Sequence, residues 1–177
     1  MEKELIHKYC GSNAELEELL LRHSEDVARR ALKIARAHPE LQADEKFLRE
    51  AAMLHDIGCV RCDAPAIHCF GTEPYIRHGI LGAEILRREG LPMHARVAER
   101  HTGTGLTTLE IMRQHLPLPL MDYTPQTIEE QIICYADKFY SKSRPDVEKT
   151  PEQALRTLEK FGSEGLNVFK DWMKRFE

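Results

Sequence analysis

Six side chains able to bind a metal fall where core residues belong, and this constrains the fold more than any other feature of the chain. His23 lies four residues before Val27, His55 four after Ala51, and His101 four after Val97. His78 precedes Gly82 by four and Ile85 by seven, and Asp137 follows Ile133 by four. Residues three and four apart share a helix face, so each group extends an apolar stripe. Asp56 follows His55 at a helix end, where its carboxylate can leave the helix axis. A single buried histidine is ordinary, because one hydrogen bond satisfies it. A buried Asp137 is costly unless it is paired or ligating. Several helices each sending an imidazole or carboxylate inward need a shared partner, and the simplest is a metal centre. Imidazole with carboxylate suits Fe, Mn, Co, Ni or Zn better than Ca or a bare Mg cage.

Helical periodicity dominates the rest of the chain, and strand signals are nearly absent. The pattern predicts helices over about 2–9, 13–21 and 23–38, the last with Val27, Ala31, Ile34, Ala35 and His38 on one stripe. Asp44 caps a helix carrying Leu48, Ala51, Ala52 and His55, with Gly58 as its expected C-cap. Residues 59–75 read as a loop. Helices then follow over about 76–89 and from Pro92 to Thr102, with a weaker one over 107–115. Pro125 is expected to open a helix running to Lys142, with Ile128, Ile132, Ile133 and Ala136 inward. Thr150-Pro151 starts a C-terminal helical pair broken near Gly162.

The 177 residues fit one domain with a sizeable core. A net charge of −4 gives no basic footprint, so duplex nucleic acid is not an expected partner. Phosphorylated small molecules stay compatible, because bound metal would supply the positive charge. No signal-peptide core and no membrane-length apolar run is present, so the expectation is a cytoplasmic protein with no membrane partner. Five cysteines, an odd count, fit reduced thiols. Cys59, Cys62, His68 and Cys69 could form a small zinc site, a redox pair or ordinary loop thiols. The last reading is favoured, because structural zinc sites more often use two ligand pairs set further apart. His7, His38, His94 and His115 lack partners in the pattern and read as surface or ordinary core residues.

The order His…His-Asp…His…His…Asp resembles the HD-domain superfamily of metal-dependent phosphohydrolases. The surroundings match too: HSEDVARRALKIA around His23, AAMLHDIG around His55, RHGILGAEILRREGLP from Arg77, ERHTGTG around His101 and ICYADKFYSKS around Asp137. The HTGTG segment is similar to the HTTG of bacterial di-iron HD proteins that hydrolyse diadenosine tetraphosphate. The overall layout is similar to small, mostly uncharacterised archaeal and bacterial HDIG proteins. The resemblance implies an all-α bundle of the HD type, a single domain over 1–177 with its core at about 20–145. The extension at about 146–177 would be packing or a dimer surface, so a homo-oligomer stays open. It also implies that His23, His55, Asp56 and Asp137 hold one metal, and that Asp56, His78 and His101 hold a second, with Asp56 bridging. One departure stands out: many relatives carry Lys or Arg after the glycine of HDIG, and here Cys59 stands there, with Arg61 two further on.

Two metals about 3.5–4 Å apart can hold a bridging hydroxide and neutralise phosphate oxygens in an in-line displacement. The expected function is therefore phosphomonoester or phosphodiester hydrolysis on a nucleotide or similar small molecule. Asp56, Lys138 and Arg77 are the catalytic candidates, and Arg61, Arg77, Thr102 and Lys138 the candidates for holding substrate, since each flanks a ligand. Arg can grip phosphate bidentately, whereas Lys acts as a point charge. One rival is a di-iron HD-type oxygenase, which O₂ uptake would reveal. The other is a non-catalytic nucleotide-binding regulatory module, against which the complete ligand set argues.

Overall fold

The computed structural model describes residues 1–145, 147–159 and 163–177. Helix α1 (Glu2–Cys10) leads into α2 (Ala14–Ala37), which Asn13 caps by accepting from the Leu16 amide. The expected break between 21 and 23 does not occur. Leu16, Leu20, His23, Val27, Ala31 and Ile34 form one buried stripe along α2. The polar run Arg22-His23-Ser24 interrupts the apolar pattern only because His23 serves the centre rather than the core.

Helix α3 (Glu45–Leu54) is capped by Asp44 as expected, but it ends at Leu54, not at Gly58. His55 Nδ1 donates to Ala52 O at 2.6 Å. The regular helix ends beside this bond, and the chain tightens into a 3-10 helix over Ile57–Arg61. Gly58 has a different task. A Cβ there would lie 2.0 Å from His78 O and 2.3 Å from Gly82 N. The tetrad His55–Gly58 is thus pressed against α4 (His78–Arg88) with no room for a side chain. Gly58→Ala is expected to destabilise the protein by about 3 kcal/mol or more, because backbone atoms would have to part. Thermal unfolding of the variant measures this, and an unchanged melting temperature would contradict the close approach.

The stretch expected as a loop holds a small sheet, so the protein is mostly α rather than all-α. Its strands are β1 (Cys62–Ala64), β2 (Cys69–Phe70) and β3 (Glu73–Pro74), in the order β2-β1-β3. β1 pairs antiparallel with β2 (Asp63 opposite Phe70) and parallel with β3 (Cys62 opposite Glu73). Strands of two or three residues are too short to show an alternating pattern.

Helix α5 (Pro92–Arg100) lies across α4, and Gly79 allows the contact: a Cβ there would lie 2.7 Å from Ala98 O. Next come α6 (Thr108–Arg113) and α7 (Ile128–Asp137). Thr127, not Pro125, caps α7, in a capping box with Glu130. The helix stops at Asp137 rather than Lys142, and single turns follow, with Tyr140 N bonding Asp137 O at 3.2 Å. The C-terminal pair is α8 (Pro151–Leu158) and α9 (Ser163–Phe176), while the expected break near Gly162 lies outside the described residues. Phe169, Trp172 and Phe176 of α9 pack around Tyr135 of α7. Among the described residues, no helix is long and apolar enough to cross a membrane.

Candidate metal centre

Five helices deliver the six groups to one buried place. His23 comes from the middle of α2, His55 and Asp56 from the end of α3, and His78 from the first residue of α4. His101 follows α5, and Asp137 is the last residue of α7. Their exposures run from 0% at His55 to 9% at Asp137. The five groups that helical spacing put on inward faces are buried, as is Asp56 beside His55.

Asp56 divides the cluster. Its Oδ2 faces His23 Nε2 at 3.2 Å and His55 Nε2 at 3.0 Å. Its Oδ1 faces His101 Nε2 at 3.3 Å and His78 Nε2 at 3.6 Å. Asp137 Oδ1 joins the first side, 2.9 Å from His23 Nε2 and 3.5 Å from His55 Nε2. Two groups of donor atoms result, each spanning no more than 4.8 Å and able to hold a metal ion: His23, His55, Asp56 and Asp137, and Asp56, His78 and His101.

The tautomers fit such ions. His55, His78 and His101 each place Nδ1 on a backbone carbonyl three residues earlier, those of Ala52, Tyr75 and Ala98, at 2.6–2.7 Å. A carbonyl only accepts, so Nδ1 carries the proton and Nε2 turns inward. A metal-binding histidine is commonly oriented in this way. As a result His78 Nε2 and His101 Nε2 lie 2.9 Å apart. Two inward lone pairs at that distance repel unless a cation lies between or beside them. His55 Nε2 is buried and makes no well-aligned hydrogen bond, only ionic contacts with Asp56 and Asp137, which leaves its inward nitrogen available to a ligand.

The electrostatics agree. Burial disfavours a charge on Asp56, yet His55 and Lys142 outweigh it and hold its pKa well below the usual carboxylate range. Burial opposes a charge on Asp137 too, and Lys138, with His23 and His55, keeps it ionised. Burial alone would lower the His55 pKa, but Asp56 and Asp137 raise it to about 9. At His78, burial and His101 act together and push the pKa down to about 3. The same carboxylates that draw a proton to His55 would draw a metal cation, and ligation requires that proton to leave.

His78, His101 and Asp137 form part of the wall of a cleft of about 380 Å³, also lined by Thr102, Lys138, Lys142 and Lys149. His23, His55 and Asp56 are not among its lining residues. Two substrate candidates, Thr102 and Lys138, therefore reach the cleft. Lys138 Nζ donates to Asp137 Oδ2 at 2.6 Å and to His101 O at 2.9 Å. Arg61 and Arg77 are not brought there: Arg61 pairs with Glu84 at 2.7 Å and Arg77 with Glu73 at 3.2 Å, on the side of the small sheet. Sequence reasoning missed Lys142, whose Nζ lies 2.5 Å from Asp56 Oδ2. The signal available was its spacing of four from Lys138.

Cys59, Cys62 and Cys69 are buried free thiols. Among the described residues, no group able to hold a metal includes a cysteine. Burial and nearby negative groups push Cys62 up to about 12, which suits an inert thiol rather than a ligand. His94 packs on Phe47 and faces Glu50 at 3.5 Å, away from the centre.

Residues 20–141, a span holding all six groups, match the HD domain family. The chain belongs to the HD domain family. An uncharacterized protein of Methanocaldococcus jannaschii is 34% identical over 136 residues, which is 75% of this chain and 69% of that protein. Two proteins named tRNA (cytidine(56)-2'-O)-methyltransferase are also similar: that of Picrophilus torridus is 37% identical over 129 residues, that of Thermoplasma volcanium 32% over 139. The matches cover 72% and 78% of this HD chain but 33% and 35% of the methyltransferase-named proteins, so the chain spans about a third of their length. The crystal structure of the L. monocytogenes phosphodiesterase PgpH HD domain has a TM-score of 0.58 at 20% identity, covering 94% of this chain and 93% of that one. The same domain in complex with cyclic-di-AMP gives 0.56 at 19%, covering 95% and 92%. These two likenesses are of the fold.

Proposed function

We propose that this HD protein is a metal-dependent phosphohydrolase, a phosphomonoesterase or phosphodiesterase, acting on a nucleotide or related phosphorylated small molecule. The observation that carries the reading is the pair of donor groups joined through the two oxygens of Asp56, beside a lysine-lined cleft. In this reading His23, His55, Asp56 and Asp137 hold one divalent ion, and Asp56, His78 and His101 hold another, from Fe, Mn, Co, Ni or Zn. When bound, such ions neutralise phosphate oxygens and bring the acidity of water near neutral pH.

The chain's own residues do the remaining work. The carbonyls of Ala52, Tyr75 and Ala98 orient three imidazoles before any ligand arrives. Lys138 fixes Asp137 and the chain at His101, and its ammonium gives the cleft wall a positive charge. Thr102 offers a hydroxyl to a phosphate oxygen at the cleft. The cleft volume suits a small-molecule ligand. The cyclic-di-AMP complex of the PgpH HD domain supports a nucleotide as the ligand class. The packing of α9 on α7 supports 1–177 as one folding unit.

The test is a panel of phosphomonoesters, phosphodiesters, mononucleotides and linear and cyclic dinucleotides, run with Mn, Fe, Co or Ni. Hydrolysis of at least one class, lost with chelator and restored by metal, is the expected result. No turnover by metal-loaded protein across the panel would overturn the reading. Activity with Mn or Co without oxygen would exclude the oxygenase. The methyltransferase names of two relatives favour a second reading, participation in RNA methylation. The chain matches only about a third of those proteins, so the reading is tested by assaying methyl transfer to tRNA by this chain, and absence of transfer would remove it as this chain's own activity.

A further inference from the structure

Lys142 and Lys138 both sit on carboxylates of the centre, but in different ways. Lys138 uses Oδ2 of Asp137, whereas the histidines facing that residue approach Oδ1. Lys138 therefore leaves the inward oxygen free. Asp56 has no such spare oxygen, because imidazoles face both of its oxygens. Lys142 Nζ lies 2.5 Å from Oδ2, the oxygen that His23 and His55 also face. Its side chain is 12% exposed, and Tyr75 is a further polar neighbour. A buried ammonium is costly without a counter-charge, and Asp56 supplies one.

A metal on Asp56 Oδ2 would meet this ammonium at close range in a dry site, where like charges repel strongly. The lysine stem is long and flexible, and Lys142 already lines the cleft next to Thr102, Lys138 and Lys149. We infer that Lys142 is a phosphate-binding residue held in reserve on Asp56: its ammonium neutralises Asp56 in the metal-free protein and turns to the anion in the cleft once Asp56 is engaged by metal. The cleft, which already has Lys138 and Lys149 in its wall, then gains the Lys142 charge for anion binding only when the centre is loaded, which links substrate binding to metal binding. This inference rests on the metal-dependent reading of the site, but its tests read binding rather than turnover.

Lys142→Met keeps the stem and removes the charge, and Lys142→Arg keeps the charge. Calorimetry of metal-free protein with Mn²⁺ should show Lys142→Met binding on the order of tenfold more tightly than wild type, since the competing state is gone. Metal-free Lys142→Met should melt at lower temperature, and Mn²⁺ should raise its melting temperature by more than it raises that of wild type. With Mn²⁺ bound, its affinity for inorganic phosphate should fall on the order of tenfold for want of a charge-assisted bond. Lys142→Arg should retain phosphate binding. If metal-free Lys142→Met does not fold, the Mn²⁺-loaded form and Lys142→Arg still report phosphate affinity. Equal Mn²⁺ affinity and equal phosphate affinity in wild type and Lys142→Met would overturn the inference, even in a protein that hydrolyses phosphoesters. Wild type that binds Mn²⁺ in competition with Lys142 yet hydrolyses nothing would overturn only the proposed function.

Discussion

His55→Ala and Asp56→Ala are expected to lose bound metal and, with it, phosphoester hydrolysis. Asp56 has the larger consequence, because it is the one side chain shared by the two donor groups. Its removal leaves His78 and His101 without a carboxylate and breaks the four-residue group as well. His55 faces both carboxylates of that group, 3.0 Å from Asp56 and 3.5 Å from Asp137. The loss in kcat/KM should be on the order of a thousandfold or more, the scale seen when a member of a catalytic unit is deleted. Asp56→Ala should also lower the melting temperature of the metal-free protein, because the Lys142 ammonium loses its partner and must turn to the cleft. Asp56→Asn, which keeps the volume, separates lost chemistry from lost packing. Elemental analysis and kinetics on the same samples check the prediction, and full activity in a variant without metal would sink it.

His101→Ala is the second large effect, and it tests the division of the centre. His101 belongs only to the smaller group, 2.9 Å from His78 and 3.3 Å from Asp56 Oδ1. Its loss leaves His23, His55, Asp56 and Asp137 in place. The variant should keep one metal ion per chain while activity falls on the order of a hundredfold or more. Thermal unfolding should show a milder loss than Asp56→Ala, since no buried charge is orphaned. Two ions retained in His101→Ala would refute the assignment of His101 as a ligand of the second ion.

How far the sequence could be read depended on periodicity. Helical spacing placed His23, His55, His78, His101 and Asp137 on inward faces, and it did so because each replaces an apolar residue in a regular stripe. Element ends were harder. α3 and α5 stop where His55 and His101 turn back onto carbonyls of their own helices, a local bond that no apolar pattern records. The merging of two expected helices into α2 has the same root, since a ligand on an apolar face looks like a break. The small sheet was invisible because strands of two or three residues are too short to show a repeated alternation. Arg61 and Arg77 looked suitable because they flank ligands in sequence, yet Glu84 and Glu73 hold them elsewhere. Lys142 was missed because its closeness to Asp56 depends on the turns after α7, across 86 residues of chain separation.

The position after the tetrad also has a physical answer. Cys59 is fully buried, with its thiol 3.8 Å from Asp56 Oδ1. A cation does reach this neighbourhood, but it comes from Lys142, and it touches the other oxygen of the same carboxylate.

The most direct test of the account is the metal content of purified wild-type protein, loaded with Mn²⁺ or Fe²⁺ and desalted. Two ions per chain, falling to one in His101→Ala and to none in Asp56→Ala, is the predicted result. A wild-type protein that retains no transition metal after loading would contradict it.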